Sequence, residues 1–562
     1  MLNLNENNNN NENFIYNFFR TITIIKLEYI ISSIIAVFTL TYYTMNTGYL
    51  SYNLIINNNL QFESLNSDYA YLSLFRDYAD EQWKYIRCKY FTYIFLLIIS
   101  IPIGRVLKNQ SIDYYKKYMV IVGVFFSFYL MQFRFIYILL SALILYYTRF
   151  LQDIIISEKI YVLLNYLILL ITKIIFEYFR NNHDINNINL FKNFNKIDNV
   201  SYQSSYIICL FKMISFNMEY KISSLNRYIN NNNNYIENVQ KAKEHCEKCS
   251  AREFCSECLD NALLDKNSDF SFLNFICYIF YPYLLYNGPI IHYNNFIFQI
   301  NNYTHSEHNT LFNIPKLLYL LKYILIFLVI EFYNHFIYSI SIFKNISETQ
   351  NYLTLFYYCF FLLHILIFIY MKWYFIWKTG ILLSYFDGIY IENNSKIILL
   401  KNITGFCKGW NCSVYRWIVK YLYSALEGEQ NKFLNVIIIF GFFFVLVDFS
   451  LKYFSIIICC IILFSIEIYV KEYACSQVNS NDYWYLRYSK YLYNCICFCF
   501  ICCICLSVYG FNVSNILGVI KQIGGIFCFI LIILFILPII IMSFFLNDIE
   551  KQNANEYNRL DY

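Results

Sequence analysis

Glu331 and His335 stand four residues apart inside an apolar run, so a helix there carries a carboxylate and an imidazole on one face. His364 lies in the middle of a second apolar run. Ionisable groups within membrane segments are functional candidates by default, here as surrogate proton acceptors, and the plain alternative is a packing hydrogen bond between helices. Asp448 and Lys452 repeat the spacing of four at the edge of an apolar run, where a structural ion pair is expected. A different chemistry is offered by Cys246, Cys249, Cys255 and Cys258, two Cys-x-x-Cys pairs in a charged stretch behind His245. The pairs have the donor type and inner spacing of a zinc site, with a shorter gap between them than zinc ribbons use. S-acylation or plain thiols are the alternative. Cysteines in apolar stretches, such as Cys495, Cys497 and Cys499, read as small buried hydrophobes. Residues 378–432 are rich in Gly, Trp, Asn and Lys, contain no bilayer-length apolar run, and hold Trp410, Asn411, Arg416, Trp417 and Tyr421. Chemistry is expected in that segment.

The elements that must position these groups are membrane helices. The chain has 562 residues, of which 58% are hydrophobic, 21% aromatic and only 14% charged. Soluble domains carry about 25% charged residues. Mean hydropathy is +0.41. These figures exclude disorder, a disulfide-stapled mini-fold and an ordinary soluble enzyme. The excess of 43 Lys+Arg over 38 Asp+Glu forms no dense basic face, so nucleic acid is not an expected partner. Apolar runs of bilayer length occur at 27–46, 88–107, 118–147, 155–178, 315–341, 352–376, 433–447, 452–470, 491–511 and 524–546. Shorter pieces at 206–218 and 270–291 suit re-entrant or interfacial helices, which are tolerated where protein covers the backbone. The reading is an all-α polytopic membrane protein of about 10–12 transmembrane or re-entrant helices. A polar tail at 1–20 and another at 547–562 flank a membrane domain at 21–546, with an Asn-rich and Cys-rich insert at 180–268. The first apolar run is expected to be its own targeting signal. Runs of Asn, with abundant Ile, Tyr and Phe, have the look of A/T-rich coding, so single residues of these types are given little weight. Charges flanking the first helix are too balanced to fix its orientation.

Four local patterns occur in order. Residues 213–220 read Met-Ile-Ser-Phe-Asn-Met-Glu-Tyr, and 282–289 read Pro-Tyr-Leu-Leu-Tyr-Asn-Gly-Pro, with Gly288 and Pro289 followed by Ile290, Ile291 and His292. Residues 386–393 read Phe-Asp-Gly-Ile-Tyr-Ile-Glu-Asn, with Asp387 in second place, and 410–428 carry Trp410-Asn411-Cys412-Ser413, Arg416-Trp417, Lys420-Tyr421 and a final Leu-Glu-Gly. In this order and spacing they resemble the membrane-bound O-acyltransferase superfamily, and within it the glycerol-uptake-protein (Gup) and hedgehog-acyltransferase-like branch. The resemblance covers residues 78–545 and implies a helical bundle around an intramembrane tunnel.

What it implies chemically is transfer of an acyl chain from acyl-CoA to a hydroxyl, on a membrane lipid in the endoplasmic reticulum. A hydroxyl is a poor nucleophile, so a base must take its proton and a donor must steady the oxyanion. By resemblance Asn411 occupies the family's first polar position. Trp410, Arg416, Trp417, Tyr421, Asp387, Gly288 and Pro289 would shape the motif or the tunnel. The second position resembles Leu-Trp-His-Asp followed by Ser-Leu-Lys, and this chain reads Val445-Leu446-Val447-Asp448-Phe449-Ser450-Leu451-Lys452. Val447 therefore stands where the resemblance expects the catalytic histidine, and an aliphatic side chain moves no proton. His292 falls where the family has a small polar residue, at a place suited to a tunnel entrance. Three readings follow: a lipid O-acyltransferase, in the Gup branch acting on a lyso-form of a glycosylphosphatidylinositol lipid; an inactive relative that binds lipid or acyl-CoA or regulates a partner; and a glycerol transporter, which the lack of an internal repeat disfavours.

Overall fold

The computed structural model describes residues 41–54, 76–87, 91–131, 135–150, 158–181, 197–230, 268–286, 288–301, 314–349, 355–391, 403–426, 431–447 and 451–474, with positions 31, 34, 38, 65, 66, 259, 260, 264, 352 and 353 besides. The expected spans at 491–511 and 524–546, both tails, and Cys246, Cys249, Cys255 and Cys258 lie outside the described residues. Among the described residues the fold is helical, apart from one two-residue antiparallel pairing of Leu65–Asn66 with Arg76–Asp77.

The helices in chain order are α1 (41–54), α2 (Glu81–Tyr85), α3 (Phe91–Gln110), α4 (Ile112–Met131), α5 (Phe135–Thr148), α6 (Glu158–Asn181) and α7 (Ile197–Asn230). After them come α8 (Phe272–Ile279), α9 (Tyr293–Asn301), α10 (Ile314–Phe336), α11 (Ser339–Lys344), α12 (Ile346–Thr349) and α13 (Leu355–Asp387). The last group is α14 (Ile403–Trp410), α15 (Cys412–Ile418), a π turn at Val419–Tyr423, α16 (Lys432–Val447) and α17 (Leu451–Ala474). Among the described residues Phe91–Gln110, Lys316–Phe336 and Leu363–Asp387 are long and apolar enough to cross a membrane, and Phe135–Thr148, Leu163–Ile175, Lys432–Leu446 and Ile457–Tyr469 are shorter apolar helices.

The apolar pieces of the sequence take these forms in the structure. Of the run at 118–147, α4 holds the described residues up to Met131 and α5 those from Phe135. The piece at 206–218 belongs to the 34-residue helix α7, whose residues 205–221 are buried apart from the half-buried Ile207. Its polar residues lowered its apparent hydropathy, but they face protein and not lipid. The piece at 270–291 is covered by protein, as a re-entrant piece requires: a 3₁₀ turn at Pro282–Leu284 follows α8, and Phe275 to Tyr286 are buried throughout.

Helix α3 packs on α4, α10 on α13, α5 and α9 on α7, and α16 on α17, so α7 stands near the middle. Pro102 sits inside α3, as membrane helices allow when neighbours cover the freed carbonyl. Polar residues bound the apolar stretches of α3, α10 and α13 at both ends. At one end Asp387 accepts from Tyr115 and Tyr281 at 2.5 and 2.6 Å, while the Arg105 guanidinium donates to the Phe386 carbonyl. Lys108 and Lys316 lie in the same charged cluster. At the other end Glu331 pairs with Arg87 at 3.2 Å and Asp80 with Lys372 at 2.6 Å. Gly388 ends α13 with φ of 90°, in the left-handed region that glycine enters freely.

Candidate active site

Helix α7 is the pillar of the site. Its buried polar residues each hold a different neighbour. Asn217 donates to the Asn165 side chain at 2.7 Å, Ser215 accepts from the Tyr293 amide at 3.0 Å, and Glu219 accepts from the Tyr421 hydroxyl at 2.7 Å. Glu219 also pairs with Lys420 at 2.5 Å. Ser215, Asn217 and Glu219 recur every second residue, so they point around the helix and reach α6, α9 and the π turn.

Asn411 starts α15 as its N-cap. Its side-chain oxygen accepts from the Val414 amide at 3.3 Å and from the Ser413 hydroxyl at 2.8 Å. The Ser413 oxygen in turn accepts from the Ile290 amide at 3.0 Å, which ties the Asn411 turn to the segment after Gly288-Pro289. That segment is fixed from the other side by close packing on α13. A Cβ on Gly380 would lie 3.2 Å from Gly288 Cα and from Pro289 Cδ, so the pairing leaves no space for a larger residue. One turn further along α15, Trp417 donates to the Phe211 carbonyl at 3.1 Å and stacks on Phe442 of α16.

Two residues past Ile290, His292 is 4% exposed and its Nδ1 lies 3.0 Å from Asp260 Oδ1. Asp260 also accepts from the Asn295 amide at 2.8 Å and faces Arg416 at 3.9 Å. Its main-chain carbonyl takes Lys420 and Asn294, both at 2.6 Å. Burial favours the neutral acid, but the close His292 side chain, the Asn295 hydrogen bond and the Arg416 charge outweigh it and hold Asp260 below its ordinary value of 3.8. His292, Asp260, Asn295, Arg416 and Ile290 line a recess. Among the described residues neither His292 ring nitrogen has a partner in hydrogen-bond geometry, so the 3.0 Å approach of Nδ1 to Asp260 is a close ion-pair contact. The arrangement is a buried imidazole oriented by a carboxylate, next to the turn that carries Asn411.

The family model for MBOAT, the membrane-bound O-acyltransferase family, matches residues 197–509, more than half of the chain. The chain belongs to the membrane-bound O-acyltransferase family. Membrane-bound O-acyltransferase gup1 of Schizosaccharomyces pombe is 28% identical over 260 residues, 44% of this chain and 40% of the relative. GUP1 of Millerozyma farinosa is 29% identical over 42% of this chain and 47% of its own length, and GUP2 of Saccharomyces cerevisiae is 31% identical over 33% and 30%. The chain thus spans less than half the length of these curated relatives.

Within this MBOAT chain the residues expected from the sequence fall into separate groups. Asn411, Arg416, Trp417 and Tyr421 share α15 and the π turn, and Ser413 joins them to Gly288-Pro289. Trp410 closes α14, and Val447 closes α16 beside the buried Leu446. Asp387 belongs to the charged cluster below α3 and not to the recess. The surrogate bases also lie apart from the recess. His364 uses both ring nitrogens, with Thr47 at 2.9 Å and Tyr333 at 3.0 Å, and so bridges α1, α10 and α13. Glu331 is engaged by Trp83 Nε1 and Arg87, both at 3.2 Å, and His335 follows it one turn along α10. Asp448 lies outside the described residues. Among the described residues no group of three or more His, Cys, Asp or Glu has metal-binding geometry. Sequence reasoning missed Asp260, Asn294, Asn295 and the pairing of Glu219 with Lys420. Glu219 was within a quoted motif, whereas Asp260 meets His292 only through the tertiary fold.

Proposed function

We propose that this chain transfers an acyl group from acyl-CoA to the hydroxyl of a membrane lipid, in the Gup branch a lyso-form of a glycosylphosphatidylinositol lipid in the endoplasmic reticulum. The observation that carries the reading is the joined pair of motif turns. Ser413 binds the Ile290 amide and the Asn411 oxygen together, so the Asn411 turn is held against the Gly288-Pro289 segment. With its oxygen committed to the helix cap, Asn411 still has amide hydrogens to offer a thioester carbonyl as it gains negative charge. The acyl chains of the donor and of the lipid acceptor suit a site among apolar helices, where water does not compete for the acyl group.

The test is acyl transfer by the purified chain in lipid nanodiscs, with labelled acyl-CoA and a panel of lysolipids. Transfer is expected, and Asn411→Asp should lower it by about 10²–10³-fold, the cost of one lost oxyanion donor. The aspartate keeps an oxygen for Val414 and Ser413, so the melting temperature should hold. Val447 favours a second reading, a relative that binds lipid or acyl-CoA without reacting. On that reading labelled acyl-CoA binds but no acceptor is acylated, and Asn411→Asp leaves binding unchanged.

A further inference from the structure

The acyl-transfer reading leaves one requirement unmet, a group that takes the proton from the acceptor hydroxyl. Val447 cannot do so. Of the buried imidazoles, His364 has both nitrogens occupied between helices. His292 differs in three respects. It is 4% exposed, its Nδ1 lies 3.0 Å from the Asp260 carboxylate as a close ion-pair contact, and among the described residues Nε2 has no hydrogen-bond partner and no carboxylate beside it. A carboxylate on one ring nitrogen fixes the tautomer, leaving the other nitrogen as the acceptor and stabilising the imidazolium once it forms. The ring lines the recess together with Asn295 and Arg416, and Arg416 shares α15 with the Asn411 cap. Asp260 is itself held by Asn295, and its carbonyl by Lys420 and Asn294, so it is a fixed and not a mobile partner. Tyr421 packs its ring edge-on at 5.3 Å from the imidazole and bonds to Glu219, which pins the other side.

We propose that His292, oriented by Asp260, is the general base for acyl transfer in this chain, and this rests on the function proposed above. The acceptor hydroxyl gives its proton to His292 Nε2 as its oxygen bonds to the thioester carbonyl carbon. The tetrahedral intermediate then breaks its carbon–sulfur bond. The imidazolium returns the proton to the leaving thiolate, so the products are the lipid ester, free CoA thiol and neutral His292. Asp260 is the positioning residue in this scheme.

The experiment uses the full chain in nanodiscs with labelled acyl-CoA and a lysolipid panel, comparing wild type, His292→Asn, Asp260→Asn, Val447→His and the double variant His292→Asn with Val447→His. Asparagine keeps a donor towards Asp260 and removes the accepting nitrogen. His292→Asn should lower kcat by about 10²–10⁴-fold, the usual cost of a lost general base, with an unchanged melting temperature. Asp260→Asn should lower kcat less, with KM unchanged. The double variant should recover at least about tenfold over His292→Asn, because a second imidazole restores proton acceptance. If His292→Asn does not fold, His292→Gln is read in the same way. A folded His292 variant with the wild-type rate, while Asn411→Asp is impaired, overturns the role of His292 and leaves the transfer reading intact. A loss in the single variant that Val447→His does not recover also overturns it. Absence of transfer by both wild type and Val447→His overturns both proposals together.

Discussion

Asp260 gathers His292, Asn295 and Arg416 around one carboxylate, and its acidity follows from that company. Because the folded-state value is depressed, the contacts contribute stability above 3.8, and that contribution is lost as pH falls through the lower folded value. Asp260→Asn should therefore lower the melting temperature at neutral pH, and the gap from wild type should close as the pH is taken below 3.8. A gap that persists unchanged into acid would assign the effect to packing alone. The same residues show where sequence reading failed. Asn294 and Asn295 look like A/T-rich filler, yet they are 2% and 6% exposed and hold Asp260 in place. Composition carries no information about which Asn is buried. Asn411 entered through the family resemblance alone, and its place as the N-cap of α15 comes from the structure.

Helices were legible where lipid faces them and obscure where protein does. The apolar runs behind α3 and α10 appear in the sequence because lipid selects continuous hydrophobicity, whereas α13 is also apolar but mostly buried against protein. Helix α7 does not, because its neighbours satisfy Ser215, Asn217 and Glu219 and no bilayer excludes them. The join between α4 and α8 has the same character. A Cβ on Gly123 would lie 1.7 Å from the Phe280 carbonyl oxygen, so these two backbones touch. Gly123→Ala should cost about 1–3 kcal/mol, in the range of other overpacked cores, and should lower the melting temperature measured in detergent. Gly441→Ala is the matched control in α16, since nothing lies within 4 Å of its added Cβ. Equal melting temperatures for the two variants would contradict the α4–α8 contact.

On the scale of the whole molecule, the chain is a membrane-bound O-acyltransferase family member whose two motif turns are joined and whose expected histidine is a valine. That the chain is a helical membrane protein was readable from its composition and apolar runs. The number of spans and the tunnel belong to the sequence reading, which extends past residue 474 and so beyond the described residues. The arrangement of polar residues was not readable, because Glu219, Asp260, His292 and Lys420 lie up to 201 positions apart and meet only through packing. The account rests most heavily on the claim that this scaffold is built to transfer acyl groups. Its most direct test is the rate of acyl transfer from labelled acyl-CoA to lysolipid by the wild-type chain and by Val447→His in nanodiscs. The account predicts measurable transfer by the wild type and a rate for Val447→His that is at least as high. No transfer by either protein, with both folded and both binding acyl-CoA, would contradict it.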